Sequence, residues 1–250
     1  MRYAFAGNRI IAYKILEYII EQGYKPSAIM LVENSEISIK IQNLIDIEEK
    51  FIFIGKNSIN SMTASILKQL ELDYIICIHY PFILPKEFVD IPKIGAINLH
   101  PSYLPFNRGW HTPTWAIKNN TIYGATLHFI TEGVDQGDII FQKEIKILPT
   151  DTADSLYARV LKLEQDVFAD AFPMIKSLNP IRRKQCIDKG DFHIKKDLQK
   201  MQKIEMDESV TYREAINQFR ALTTNDINEA AFFMVDNRKY AIQIKIEEIL

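Results

Sequence analysis

Two cysteines, Cys77 and Cys186, are all that 250 residues carry, so no disulfide framework is expected. Cys77 lies within an apolar run, residues 74–78, and reads as a buried reduced thiol. Long hydrophobic runs are missing too. No stretch approaches 18 apolar residues, and residues 1–7 are too short in apolar length for a signal peptide. A soluble, cytoplasmic protein with no membrane partner is therefore expected. Neither sign of charge dominates: 30 Lys and Arg stand against 32 Asp and Glu, a net charge of −2. Such a balance argues against a surface that neutralises many phosphates, and nucleic acid is not expected as a partner. A small phosphorylated ligand stays compatible, because it needs only a few local donors. Gly7 opens no G-x-G-x-x-G turn, and P-loop, H-E-x-x-H, C-x-x-C and G-x-S-x-G motifs are absent. The five histidines show no metal-ligand spacing with each other or with cysteine, so no metal is expected.

What is present is an alternation. Hydrophobic residues make up 47% of the chain, enough for a sizeable core. Residues 3–6 predict a strand, stopped by Gly7-Asn8. Ile10, Ile11, Ile15, Leu16, Ile19 and Ile20 then recur at helical spacing, and Gly23 fits the stop. Residues 28–32, 51–54 and 73–78 predict further strands, with helices over 37–50 and 61–70 between them. This order implies an α/β fold, a Rossmann-like doubly wound and mostly parallel sheet. Ligands of such sheets sit beyond the carboxyl ends of the strands, near the point where strand order reverses. Asn8-Arg9, His79-Tyr80 and Asn98 to His100 each follow a predicted strand.

Two more strands are predicted over 124–130 and 138–147. Thr150-Asp151-Thr152 supplies a helix start, and Leu156, Val160, Leu163, Val167 and Ala171 keep an apolar stripe towards Ile175. The organisation changes at Asn179-Pro180. The expectation is a main domain over 1–180 and a small α+β module over 181–250, with Arg182-Arg183-Lys184 as a solvated linker. A helix over 212–220 and a hairpin are expected in the module, its strands at 230–235 and 240–246 around Asp236-Asn237.

Polar chemistry is concentrated between Gly95 and Ile140, where three histidines and both tryptophans fall. Asn98 and His100 occupy alternate positions at a strand end, so both side chains point the same way. An amide donor and an imidazole on one face can serve a developing oxyanion and a transferring proton. Gly133 and Gly137 bracket Asp135 in a loop whose glycines allow close backbone approach to a ligand.

Asn98-x-His100, then Ser102-x-Leu104-Pro105-x-x-Arg108-Gly109, then Gly133-Val134-Asp135-x-Gly137, resembles the N10-formyltetrahydrofolate-dependent formyltransferase family. That family includes glycinamide ribonucleotide transformylase, methionyl-tRNA formyltransferase and the sugar N-formyltransferases. The resemblance implies N10-formyltetrahydrofolate as co-substrate and attack of an amine on its formyl carbon. It makes Asn98, His100 and Asp135 the catalytic trio: Asn98 and a protonated His100 stabilise the oxyanion, and Asp135 orients His100 and moves a proton. His128 resembles a supporting histidine of part of the family; from sequence it reads equally as a satisfied core histidine. For the folate, the resemblance implies the loop Phe82-Ile83-Leu84-Pro85 and the loop 132–138, with Val134 and Asp138. A Pro-bounded loop that merely packs on the core is the other reading of the first.

Among possible amines, a nucleotide-linked sugar fits best. The tail is short and mixed in charge where methionyl-tRNA formyltransferase normally carries a substantial basic domain, and the chain has Gly7-Asn8-Arg9 where glycinamide ribonucleotide transformylase has a glycine-rich turn. Asn107 to Pro113, Tyr123 to His128, Phe192 to Leu198 and Arg220 to Thr223 resemble the sugar N-formyltransferases, which serve bacterial O-antigen and other surface polysaccharides. A dTDP-4-amino-4,6-dideoxyhexose is the expected acceptor, with UDP-linked sugars, methionyl-tRNA, glycinamide ribonucleotide and a non-catalytic folate- or nucleotide-binding role as alternatives. Arg9 and Arg108 are candidates for the diphosphate, since a guanidinium meets phosphate in a forked geometry. Asn8, His79, Tyr80, Gly109, Trp110 and His111 are candidates for the rest of the acceptor. Arg108 and Trp110 read alternatively as a loop tie and a half-buried anchor. The run Ala230 to Val235 is too apolar to leave exposed, and a homodimer through this region is expected.

Overall fold

The computed structural model describes residues 1–249 and divides into two compact units, each drawn from separated stretches of chain. The first unit takes residues 1–100, 126–142 and 164–185; the second takes 101–125, 143–163 and the chain from 186 onwards. In chain order the elements begin with β1 (Tyr3–Gly7), α1 (Arg9–Glu21), β2 (Ala28–Leu31), α2 (Glu36–Asn43), β3 (Ile52–Ile54), α3 (Ser61–Gln69), β4 (Tyr74–Ile78), α4 (Lys86–Val89) and β5 (Gly95–His100). There follow β6 (Arg108–Gly109), α5 (Thr112–Asn119), β7 (Gly124–Phe129), β8 (Ile139–Glu144), α6 (Ala153–Lys176), β9 (Phe192–His193), α7 (Gln199–Gln202), α8 (Tyr212–Ala221), β10 (Ala231–Val235) and β11 (Arg238–Ile242).

One seven-stranded sheet has the order β3-β2-β1-β4-β5-β7-β8. β1 pairs in parallel with both β2 and β4, β2 with β3, and β4 with β5; β7 runs antiparallel to β5. Strand order therefore reverses between β1 and β4, where Asn8 N donates to Ile78 O at 3.1 Å. The mostly parallel sheet expected from the alternation is what forms. β1, β2 and β4 are buried along their whole length because both faces of the sheet are covered there. One face contributes Ala4, Ala6, Met30, Ile75, Cys77 and Ala96 to a core with Ala64, Leu67 and Phe88. On α1 and α6, Tyr18 meets Phe168 and Phe172 edge-on. Burial of Cys77 pushes its thiol up to about 12, whereas Cys186 is exposed. At pH 8 a maleimide should label one thiol per native chain rapidly and the second only after unfolding; two rapid equivalents would contradict the buried site.

The second unit has a smaller core of Leu198, Leu222 and Ala231, packed by Met201, Ile204, Phe219 and Ile242. A capping box starts α8: Glu214 N donates to Thr211 Oγ1 at 3.2 Å and Thr211 N to Glu214 Oε2 at 2.9 Å. α5 packs against α8, and β6 pairs in parallel with β9, Arg108 opposite Phe192 and Gly109 opposite His193. Those pairings are why the compact units do not follow a cut at residue 180: residues 101–125 build onto the C-terminal segment.

Other expectations shift in detail. α2 stops at Asn43 instead of continuing to 50, because Asn is a weak helix former and Ile45-Asp46-Ile47-Glu48 alternates with period two. β11 spans 238–242, not 240–246. Asp236 and Asn237 both take positive φ, the two-residue turn that pairs Val235 directly with Arg238. The run expected as a solvated linker is exposed, as expected, but it is tied to the first unit. Arg182 Nη2 donates to Ile94 O at 2.5 Å, its guanidinium lies 3.5 Å from the Phe129 ring centroid, and Arg183 exchanges both main-chain bonds with Ile139. Among the described residues no helix is long and apolar enough to cross a membrane.

Candidate active site

The end of β5 carries Asn98 and His100 on one face of the sheet, as the period of two requires. Antiparallel pairing with β7 sets His128 directly opposite Asn98 and Thr126 opposite His100, so His128 joins the same face. His128 is 1% exposed. Its Nδ1–H donates to Phe129 O at 2.8 Å, which leaves Nε2 as an acceptor for the Asn98 amide at 3.3 Å. The Asn98 side chain is thereby oriented by an imidazole.

Asp135 completes the group. Its Oδ2 lies 3.5 Å from His100 Nε2 and its Oδ1 lies 3.5 Å from His128 Nε2, a carboxylate between two rings set edge to face. The backbone at Asp135 has φ 52°, a left-handed conformation uncommon outside glycine. Gly137 answers a separate need, because any Cβ there would collide with the Phe129 carbonyl oxygen. Gln185 ties the loop down: its Nε2 donates to Asp135 O at 3.0 Å and to Gly137 O at 2.5 Å. Nothing in the sequence pattern singled out Gln185.

A second cluster stands where strand order reverses. His79, directly after β4, has φ 51° and presents Nε2 to both carboxylate oxygens of Glu164, at 2.8 and 2.9 Å. Glu164 is fully buried on α6. Burial raises its pKa, and the charges of His79 and Arg9 oppose that rise. His79 is thus occupied by a side chain of its own unit. Asn8 caps α1, and Arg9, also at positive φ, is exposed. Tyr80 meets Phe82 edge-on, and its hydroxyl is buried without a hydrogen-bond partner. Glu164 escaped the sequence reading, although an acidic residue between Val160 and Val167 on the apolar stripe marks the place.

Of the loop residues expected to hold a folate, Leu84 lines a cleft of about 250 Å³ together with Lys86, Val89, Asp90, Ile130, Thr131 and Glu132. Phe82, Pro85 and Asp138 are not among its walls; Ile83 and Val134 are exposed. The cleft thus joins the loop after β4 to the start of the loop that carries Asp135.

Arg108, Gly109, Trp110 and His111 belong to the second unit. Arg108 is buried, its Nε donating to Asp191 O at 3.3 Å while Nη1 has no partner. Asp191 also accepts from Asn107 N at 2.5 Å and from His193 Nε2 at 2.8 Å; burial would raise its pKa, but these bonds together hold it below the usual carboxylate range. His193 stacks on Trp115 at 3.8 Å. Trp110 is 42% exposed, with Lys195 Nζ 5.4 Å from its ring centroid. His111, in the left-handed conformation at the start of α5, lies 3.7 Å from Glu229; burial, the largest influence, lowers its pKa.

Residues 21–172 match the formyl transferase family model. The chain belongs to the formyl transferase family. Residues 197–248 of this formyltransferase match the N-formyltransferase dimerization C-terminal domain. A dTDP-4-amino-4,6-dideoxyglucose formyltransferase of Mycobacterium tuberculosis is 29% identical over 175 residues, 70% of this chain and 74% of the relative. A methionyl-tRNA formyltransferase of Fusobacterium nucleatum is 31% identical over 229 residues, 89% of this chain and 73% of the relative. Among solved structures, a sugar N-formyltransferase from a Shewanella species superposes with a TM-score of 0.84 at 24% identity, covering 100% of this formyltransferase and 99% of that chain. Among the described residues no group of three or more His, Cys, Asp or Glu is placed to hold a metal ion.

Proposed function

We propose that this formyltransferase moves a formyl group from N10-formyltetrahydrofolate to the primary amine of a nucleotide-linked dideoxyamino sugar, a dTDP-4-amino-4,6-dideoxyhexose before others. The observation that carries the chemistry is the carboxylate of Asp135, 3.5 Å from each of His100 and His128, with Asn98 held by His128 on the same sheet face. When bound, the folate supplies the formyl carbon. Leu84, Val89 and Ile130 offer the cleft's apolar wall, and Thr131, Glu132 and nearby main chain offer hydrogen bonds. The Asn98 amide and the His100 imidazole donate towards the oxygen on which negative charge develops. Asp135 accepts the proton that the attacking amine must lose, directly or through water, and that proton passes to N10 of the folate as the bond between N10 and the formyl carbon breaks.

Arg9 is the candidate for phosphate in the first unit, and Arg108, with a buried unpartnered Nη1, awaits an acceptor in the second. Asn8, Tyr80, Gly109, Trp110 and His111 remain candidates for sugar or base contacts. His79 serves through its bond to Glu164, shaping the turn after β4. The product would enter O-antigen or another bacterial surface polysaccharide. Along the sequence, 1–180 is the proposed catalytic portion and 181–250 the proposed C-terminal module, the place of homodimer contact. The half-exposed Met234, Val235 and Tyr240 on its hairpin support that placement.

Methionyl-tRNA deserves an arm of the test, because one relative so named matches 89% of the chain. Against it stand the net charge of −2 and a C-terminal match to a dimerization domain. The experiment is a panel of dTDP- and UDP-linked amino sugars, methionyl-tRNA and glycinamide ribonucleotide, each assayed with N10-formyltetrahydrofolate for formylated product. Product from a dTDP-linked 4-amino sugar is expected. Turnover of methionyl-tRNA or glycinamide ribonucleotide alone would overturn the substrate class.

A further inference from the structure

The loop that carries Asp135 is glycine-rich and holds a non-glycine residue at positive φ, a conformation that surrounding contacts must impose. Within the loop itself, Gln136 N donates to Gly133 O at 3.4 Å. Just beyond it, Phe129 N donates to Asp138 O at 2.9 Å. Further restraint comes from residues 182–185. Arg183 and Ile139 exchange main-chain bonds of 2.8 and 3.0 Å, which fixes the strap beside the loop's exit. Arg182 anchors the strap's start on Ile94 O and the Phe129 ring. Gln185 then spends its single amide nitrogen on two carbonyls of the loop, those of Asp135 and Gly137. Its side chain spans the residue that bears the carboxylate and the glycine that lets the chain pass Phe129.

We propose that Gln185 is a positioning residue for Asp135: by bonding the carbonyls on both sides of Gln136, it holds the carboxylate between His100 and His128. The inference rests on the reading of Asp135 as the proton acceptor. A carboxylate displaced by about 1 Å from the proton it must take is expected to lose on the order of 10²-fold in rate. Removing the amide takes away the donor that both carbonyls share.

The test variant is Gln185→Met, which keeps length and volume and removes both N–H donors. Amide hydrogen exchange of residues 133–138 in the free protein should accelerate at least about 10-fold. With the acceptor selected by the panel, kcat should fall about 30- to 100-fold while KM for the amino sugar stays within about threefold. In an Asp135→Asn background the same change should cost less than about threefold in kcat, because its effect passes through the missing carboxylate. If Gln185→Met does not fold, Gln185→Glu takes its place, similar in shape and without an N–H at neutral pH. Unchanged exchange overturns the proposal, and so does an equal cost in both backgrounds. Failure of the underlying reading looks different: Asp135→Asn alone would then leave turnover intact, whatever Gln185 does.

Discussion

His100→Asn abolishes formyl transfer to within detection, a loss of about 10³-fold or more in kcat, while folate binding stays within a few-fold of the native protein. On the proposed mechanism two functions suffer with the ring, the oxyanion donor itself and the proton transfer by Asp135, whose carboxylate the ring faces at 3.5 Å. A donor to developing oxyanion charge is worth about 10²–10³ in rate, and a positioned acid or base about 10²–10⁴. Both losses follow from one side chain, so the product of the two is not expected. Binding survives because the cleft at Leu84, Val89 and Ile130 does not include His100. The measurements are product formation under single turnover and titration with a non-transferable folate. Residual turnover within tenfold of native would sink the assignment of His100, and with it the proposed mechanism.

Glu164→Ala destabilises the fold by about 3–5 kcal/mol, the range for removing one partner of a buried charged pair. For a chain of this size that is a fall of about 10 °C in Tm. Glu164 is fully buried, and both of its oxygens face His79 Nε2, so truncation strands a buried imidazole and opens a cavity. Burial raises the Glu164 pKa above its ordinary 4.5, which means that the folded state disfavours the carboxylate and relies on His79 and Arg9 to offset the cost. A neutral acceptor keeps the bond without the charge, so Glu164→Gln should be milder. Replacing both partners, Glu164→Leu with His79→Phe, should recover most of the loss, since a well-packed apolar pair needs no compensation. Thermal melts of the four proteins decide it: a Glu164→Ala Tm within about 2 °C of native would show that the pair contributes little.

How much of this was legible beforehand depended on distance along the chain. Strands β1, β2 and β4 announce themselves, because a doubly covered parallel strand is an unbroken apolar run. Asn98 and His100 were legible as partners for an equally local reason, their separation by one residue on a strand. His128 was not decidable. Its presence on the same face follows from the register of β5 against β7, which pairs residues 30 apart and which no local pattern specifies. Glu164 left a trace, an acid where the helical stripe called for an apolar residue; its partner at His79 lies 85 positions away. Gln185 left none, since a glutamine in a polar stretch looks the same whether it faces water or two carbonyls. The interleaving of the units was hidden for the same cause, β6 and β9 being 84 residues apart in sequence.

That interleaving bears on how such a protein can be dissected and recombined. The backbone passes from one unit to the other after residues 100, 125, 142, 163 and 185, so no single cut releases either one. A chain shortened at 180 would keep α5 without α8 and β6 without β9, and so would carry an orphaned fragment of the unit that had been removed. Exchange of C-terminal modules among relatives must therefore bring a compatible 101–125 segment along with it.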